Sequence, residues 1–368
     1  MPEFSSPRPA RRRACTMLAT SLALAACGDP GGRDTQDAFT GSGVGSPSGP
    51  GSDDGSASGG ASNGGDGSES GGLILDVGAA TQASAEEGGG GEGCHKVDFL
   101  FVIDNSSSMG DEQDSLITSF PGFMLTIQNT LTDAQDYHVM VVDTDAAWGG
   151  ECELLCNFFG GVCPDNPAYP CGQGPPSPCD ATLGAGVTYP LGGDATNMQC
   201  NFSSGLRFMD ATEPDLPAAF QCAAKVGSDG DSDERAASAM VSALSEELSQ
   251  PGACNEGFIR DDAILVVTMI TDEEDKGSNG TPEGWYANVI ASKKGDANAI
   301  VMLGLIDDVD QPAPVCPAES EDAVKLRTLV EMFPNHIRGS VCEISYNGFF
   351  EEAVALIDQT CDEFTPAG

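Results

Sequence analysis

The apolar run from Phe99 to Ile103 constrains the fold of this chain more than any other stretch does, because it leaves no polar face. A strand that is apolar on both faces is typical of the interior of a parallel sheet with helices on both sides. Similar runs recur at residues 137–142, 263–270 and 299–306, with helix-like apolar spacing between them. This alternation predicts an α/β fold with a doubly wound, mostly parallel sheet flanked by helices.

The remaining elements follow from the same apolar periodicities. One proline, Pro121, lies inside the first predicted helix and is expected to kink or interrupt it. Residues 337–344 are predicted to form a strand at the edge of the sheet. Helices are predicted at residues 111–131, 214–225, 234–248, 285–293, 319–333 and 348–361.

Residues 146–210 break the alternation of strands and helices. They are rich in glycine and proline and hold six of the 14 cysteines of the chain. Within a folded domain at residues 94–368, this segment is predicted to be a disulfide-rich loop insertion with little regular structure. Loops carried by a rigid scaffold often bind partners, so the insertion is a candidate recognition surface. The alternative is a decoration that protects an edge of the sheet.

Cysteine content and charge narrow the function. Twelve cysteines, an even number, follow the N-terminal segment, which favours disulfides in an exported protein. Zinc binding is the alternative, but no C-x-x-C pair occurs and the three histidines are scattered. A formal net charge of −41 argues against nucleic-acid binding and against binding to the surface of an anionic membrane.

A polar tip follows the first apolar run, because Asp104, Ser106 and Ser108 occupy alternate positions just past its end. In open α/β sheets, ligands bind at the carboxyl ends of the strands. A carboxylate and two hydroxyls on one loop form an all-oxygen set that suits Mg²⁺ or Ca²⁺ and does not suit zinc or copper. The alternative is a serine-rich turn that caps the next helix.

This D-x-S-x-S motif, preceded by a buried strand, resembles the metal-ion-dependent adhesion site of von Willebrand factor type A (vWA) domains. The resemblance implies a Rossmann-like vWA fold in which three loops build one metal site. Asp272 matches the aspartate of the third loop, although Glu273 follows it where the family often has glycine. No threonine occurs between residues 227 and 234, so Ser232 is the expected replacement for the threonine of the second loop, with Ser228 as second choice. A helix N-cap is the alternative role for Ser232.

The resemblance also implies a cofactor and a partner. The ion is expected to be Mg²⁺, with Ca²⁺ or Mn²⁺ as alternatives, bound directly by the two serines and through water by the two aspartates. Its partner is expected to be a protein or glycan ligand presenting an acidic group. Asp111 and Glu112 have the spacing of an adjacent calcium site in some integrin subunits and are candidate secondary ligands. Acids that stabilise the start of a helix are the alternative.

Residues 1–27 resemble a bacterial lipoprotein signal peptide. Arginines precede an apolar core that ends in Leu-Ala-Ala-Cys27 and is too short to span a bilayer. The resemblance implies that Cys27 is lipidated and anchors the protein to a membrane of the cell envelope, with the outer membrane or cell surface as candidates. Ordinary secretion with cleavage near Ala26 is the alternative. Residues 28–93 are rich in glycine, serine and aspartate and are predicted to be a disordered linker.

Together these features predict a lipid-anchored cell-envelope protein whose vWA-like domain mediates divalent-cation-dependent adhesion or protein–protein binding. The membrane is contacted through the lipid anchor only. Neither a P-loop nor an H-E-x-x-H sequence occurs. The three histidines have no evident nucleophile partner, since the cysteines are expected to form disulfides, so no enzymatic activity is predicted. Two alternatives stay open. One is a structural envelope protein with a vestigial metal site that binds through its insertion, and the other is a secreted hydrolase of unrecognised type.

Overall fold

A six-stranded sheet forms the centre of the protein in a computed structural model. The structure describes residues 94–131, 136–150, 152–164, 169–230, 234–318 and 320–365. The predicted signal peptide, the predicted linker, Cys27 and Ser232 lie outside the described residues. Among the described residues, no helix is both long enough and apolar enough to cross a membrane.

The order of the strands across the sheet is β3-β2-β1-β4-β5-β6. All pairs are parallel except β2 with β3. The predicted α/β class with a mostly parallel sheet is therefore confirmed. The strands are β1 (Lys96–Ile103), β2 (Asp136–Asp143), β3 (Met209–Asp210), β4 (Ile264–Ile270), β5 (Ile300–Ile306) and β6 (Asn335–Ser340).

Helices cover both faces of the sheet. Along β1, Phe99 and Phe101 point into the core with α1, α3 and α8, whereas Leu100 and Val102 point into the core with α4, α6 and α7. This explains why Phe99–Ile103 has no polar face. The helices are α1 (Gly110–Thr130), α2 (Cys152–Phe158), α3 (Leu216–Ala224), α4 (Ala236–Ala243), α5 (Glu246–Ser249), α6 (Pro282–Ser292), α7 (Val324–Glu331) and α8 (Asn347–Glu363).

Helix α1 is not interrupted at Pro121, which lies on the exposed face and removes only one intrahelical donor. A second expectation about helices was wrong. The helix predicted at residues 234–248 is two helices, because Ser245 has extended backbone angles and its side chain accepts a hydrogen bond from the Leu248 amide. Ser245 thus caps the start of α5 and ends the path of α4.

Within its described residues, the cysteine-rich insertion has little regular structure beyond α2, one 3₁₀ turn at Pro178–Ala181 and the two-residue strand β3 at its end. Two of its disulfides close short loops within it, and two others fasten it to α3 and to the loop after α5. The prediction of disulfides is confirmed by six pairs. They are Cys94–Cys361, Cys152–Cys163, Cys156–Cys171, Cys179–Cys254, Cys200–Cys222 and Cys316–Cys342.

Candidate metal centre

The pairing of β1 with β4 brings two predicted site loops to one edge of the sheet. Ile103 pairs with Ile270 in parallel register, so both chains leave the sheet at the same level. The Asp104 amide continues this ladder by donating to the Ile270 carbonyl at 3.0 Å. Asp104 and Asp272 therefore lie on adjacent loops at the carboxyl edge, where ligands bind in folds of this class.

The Asp104 carboxylate is buried and held through both of its oxygens. The Ser106 amide donates to Oδ1 at 2.7 Å, and the Thr271 hydroxyl donates to Oδ2 at 2.5 Å. Burial raises the pKa of Asp104, and the neighbouring charge of Asp272 raises it further against these hydrogen bonds. The carboxylate is fixed in place before any ligand arrives.

The two serines of the motif point to the same place. Ser106 Oγ and Ser108 Oγ lie 3.4 Å apart. Burial raises the pKa of the half-buried Asp272, and a hydrogen bond from the Ser108 side chain opposes that shift. The structure thus brings Asp104, Ser106, Ser108 and Asp272 together, and Ser232 lies outside the described residues.

A buried glutamine, Gln113, joins the first loop to the loop before α4. Its Nε2 donates to the Asp104 carbonyl at 3.0 Å and to the Gly227 carbonyl at 2.8 Å. Its Oε1 accepts from the Gly227 amide at 3.2 Å. The Gly230 amide adds a bond to the Asn105 carbonyl at 2.8 Å, and a side chain at Gly230 would collide with Asn105. Sequence reasoning missed this role, whose one signal was a polar residue on the apolar stripe of α1.

Replacing Gln113 by alanine is expected to lower the free energy of unfolding by about 2–4 kcal/mol, because it leaves several buried backbone groups unpaired. Chemical denaturation measures this change. Gln128→Ala, on the exposed side of the same helix, is the matched control and should stay within about 0.5 kcal/mol of the wild type. Equal stability of the two variants would contradict the role assigned to Gln113.

A second missed residue is Glu234, which is only 2% exposed. The Thr144 hydroxyl donates to its Oε2 and lies 3.1 Å from Asn105 Oδ1, so Glu234 is tied to the first loop. Burial raises the pKa of Glu234, and the negative charges of Asp104, Asp145 and Asp143 raise it further. Sequence analysis placed this position at the start of a predicted helix and did not assign it to the metal site.

The two candidate secondary ligands, Asp111 and Glu112, differ in their surroundings. Glu112 is half-buried, and its pKa is raised by burial and by the charges of Asp272 and Asp111. Asp111 is exposed. Glu112 therefore belongs to the same electrostatic cluster as Asp272, whereas Asp111 lies at its rim.

The donor atoms fit a hard divalent cation. Asp272 Oδ1, Glu234 Oε1 and Glu112 Oε2 are buried and accept no hydrogen bond from the residues that the structure describes. Buried carboxylate oxygens without partners are costly. The charge of Asp272 raises the pKa values of Glu112 and Asp104, and the charge of Asp104 raises the pKa of Glu234. A divalent cation beside Ser108 would satisfy Asp272 Oδ1, and an all-oxygen set suits Mg²⁺, Ca²⁺ or Mn²⁺.

Another group of potential ligands, Asp307, Asp308 and Cys316, does not form a comparable site. The Cys316 sulfur is bonded to Cys342, so it offers no thiolate. Both oxygens of Asp308 already accept hydrogen bonds, from the Val315 and Cys316 amides. Asp307 Oδ2 is left without a hydrogen bond among the described residues, but it is a single oxygen, so the cluster beside β1 and β4 is the better candidate.

Comparison with known proteins adds little to this geometry. No protein-family model matches the chain, and no curated protein matches it. Among the solved structures that match is proximal thread matrix protein 1 from the mussel byssus, with 11% sequence identity and a TM-score of 0.36. The match covers 72% of this chain and 49% of that one, so the chain spans about half the length of that protein.

Proposed function

We propose that this protein is a vWA-like binding protein of the cell envelope that grips a partner through a divalent cation. The observation that carries the proposal is the convergence of Asp104, Ser106, Ser108 and Asp272 around buried carboxylate oxygens that lack hydrogen-bond partners within the described residues. Structural ion pairs do not account for this convergence, because the charges that most strongly shift the pKa values of both aspartates are carboxylates.

The proposed mechanism is binding without covalent chemistry. Ser106 and Ser108 would hold the ion through their hydroxyls, and Asp104 and Asp272 would neutralise it. The ion would supply an electrophilic position that an oxygen of the partner, on a protein or a glycan, completes. The hydrogen bonds of Asp104 to Ser106 and Thr271 keep the site in shape before binding, which lowers the cost of ordering it.

The location is proposed from the N-terminal segment and the cysteines. The Leu-Ala-Ala-Cys27 sequence after a short apolar core supports lipidation of Cys27 and anchoring to a membrane. Six disulfides support an oxidising compartment. Incorporation of labelled palmitate into the wild type but not into Cys27→Ala would support the anchor, and equal labelling would contradict it.

The alternative is a structural envelope protein that binds through its insertion and has a vestigial metal site. One observation favours it: Phe158, Phe159 and Val162 are exposed beside the disulfides of the insertion. Under this alternative, divalent cations would not change the stability of the protein.

Thermal unfolding separates the two functions. At an ion concentration about 100 times its dissociation constant, we expect a stabilisation of about 2–3 kcal/mol, which corresponds to roughly 3–5 °C in a domain of this size. EDTA should reverse it. An unfolding temperature that is the same with Mg²⁺, Ca²⁺ and EDTA would favour the structural alternative.

A further inference from the structure

The sheet has an open edge at β6. This strand (Asn335–Ser340) pairs with β5 on one side and with no other strand among the described residues. The Val341 amide donates to the Ile306 carbonyl at 3.0 Å, and in a parallel ladder alternate residues turn their backbone groups toward the neighbouring strand. The amides and carbonyls of His336 and Arg338 therefore face away from β5. Across the part of the chain that the structure describes, none of them has a hydrogen-bond partner.

Native sheets usually protect such an edge with a very short strand, with proline or with unpaired charges. At the opposite edge, β3 has two residues, whereas β6 has six and contains neither proline nor lysine. The charge of Arg338 is already paired, because its guanidinium donates to the Asp310 carboxylate at 2.7 and 2.9 Å. The edge at β6 therefore lacks these protections and is long enough to pair with a further strand.

A groove of about 400 Å³ lies beside this edge. It is lined by residues 336–340 of β6, by Glu331 of α7 and by Glu352 of α8. Glu331 is exposed, and its one ion pair, with Arg338, is long at 3.5 Å. Glu352 is exposed and forms no ion pair within the described residues. An occupant of the groove would therefore meet unpaired backbone groups and negative charge together.

We propose that β6 is a docking edge for an extended peptide with basic side chains, which adds a strand to the sheet. Such a peptide satisfies the outward amides and carbonyls of His336 and Arg338 through its own backbone. Its alternate side chains point to opposite faces of the sheet, where α7 and α8 supply Glu331 and Glu352. A second copy of this chain is a poor occupant, because two chains with a net charge of −41 repel each other. This surface goes beyond the proposed function and needs no metal ion.

Calorimetric titration of the full chain in EDTA, with a short peptide of alternating lysine and valine, tests the proposal on the wild type. The same peptide with every backbone amide methylated keeps its charges but cannot donate hydrogen bonds, and it should bind at least about tenfold more weakly. Equal affinity of the two peptides would show that charge alone attracts them and would overturn strand addition. Failure of the unmethylated peptide to bind would also overturn it.

Two variants at one position locate the contact. His336→Pro removes an outward amide and leaves the ladder to β5 intact, and it should weaken binding of the lysine–valine peptide at least about tenfold. His336→Ala loses the same imidazole but keeps the amide, so it should bind as the wild type does. Equal binding by the two variants would overturn the assignment to β6. If thermal unfolding shows that the proline variant is not folded, the methylated peptide on the wild type decides.

Charge is tested separately on α8. Glu352→Gln should weaken binding of the lysine–valine peptide about two- to fivefold, as expected for an exposed ion pair. Glu351→Gln removes an equal charge from the neighbouring exposed position outside the groove and should leave the affinity unchanged. Equal affinities of the two variants, or equal binding of a peptide of alternating glutamate and valine, would overturn the choice of a basic partner.

Discussion

Replacing Asp104 by asparagine is expected to abolish the stabilisation that divalent cations give to this protein. The substitution removes the central charge of the site, while the amide oxygen can still accept from the Ser106 amide and the amide nitrogen can donate to Thr271 Oγ1. We therefore expect loss of the entire gain of about 2–3 kcal/mol in the free energy of unfolding that a near-saturating ion produces. Thermal unfolding with Ca²⁺ or Mg²⁺, compared with unfolding in EDTA, measures it.

Without a bound ion, the same substitution is not expected to lower the stability of the protein. Asp104 is buried, and its charge opposes ionisation of Glu234. Without an ion, Asp104→Asn should therefore be at least as stable as the wild type in EDTA. Asp114→Asn, which removes an exposed charge from the same helix that follows the motif, should respond to cations as the wild type does. A full cation response in Asp104→Asn would rule out the site.

Removal of the disulfide between Cys94 and Cys361 should have the largest effect on the stability of the domain. It joins residues 267 positions apart and connects the start of β1 to the end of α8. A cross-link restricts the unfolded chain more as the loop it closes grows, and the chain-entropy relation gives about 5 kcal/mol for a loop of this length. Replacing both cysteines by serine should lower the free energy of unfolding by roughly that amount.

The matched control is replacement of Cys152 and Cys163, which are 11 positions apart within the insertion. The same relation gives about 3 kcal/mol for so short a loop. Chemical denaturation of the two double variants, under conditions that keep the other disulfides intact, compares them. A smaller loss for the Cys94–Cys361 pair than for the control pair would contradict the assignment of the long disulfide as the main covalent restraint.

The sheet could be predicted from the sequence because a strand that is buried on both faces consists mainly of consecutive apolar residues. Polar side chains are absent from β5, from Phe99–Ile103 of β1 and, apart from Thr268, from β4. Asp104 follows β1 directly and Asp272 comes two residues after β4, so both lie at the carboxyl edge. That reasoning located Asp104 and Asp272, together with Ser106 and Ser108 on the first loop. It needed only local spacing and the general rule for ligand positions in open sheets.

Gln113 and Glu234 could not be located in this way, because their partners are distant in sequence. Gln113 contacts Gly227 across 114 positions, and Thr144 reaches Glu234 across 90. Such pairs depend on the three-dimensional path of loops, which local periodicity does not encode. The break between α4 and α5 was missed for a related reason: the apolar stripe continues through Ser245, although the serine side chain caps a new helix there.

A crystal structure of the full chain grown with Mn²⁺ and recorded at its absorption edge tests the central claim most directly. We expect one anomalous peak at the carboxyl edge of β1 and β4, within about 2–2.5 Å of the hydroxyl oxygens of Ser106 and Ser108. The absence of any peak at this edge would contradict the proposed function.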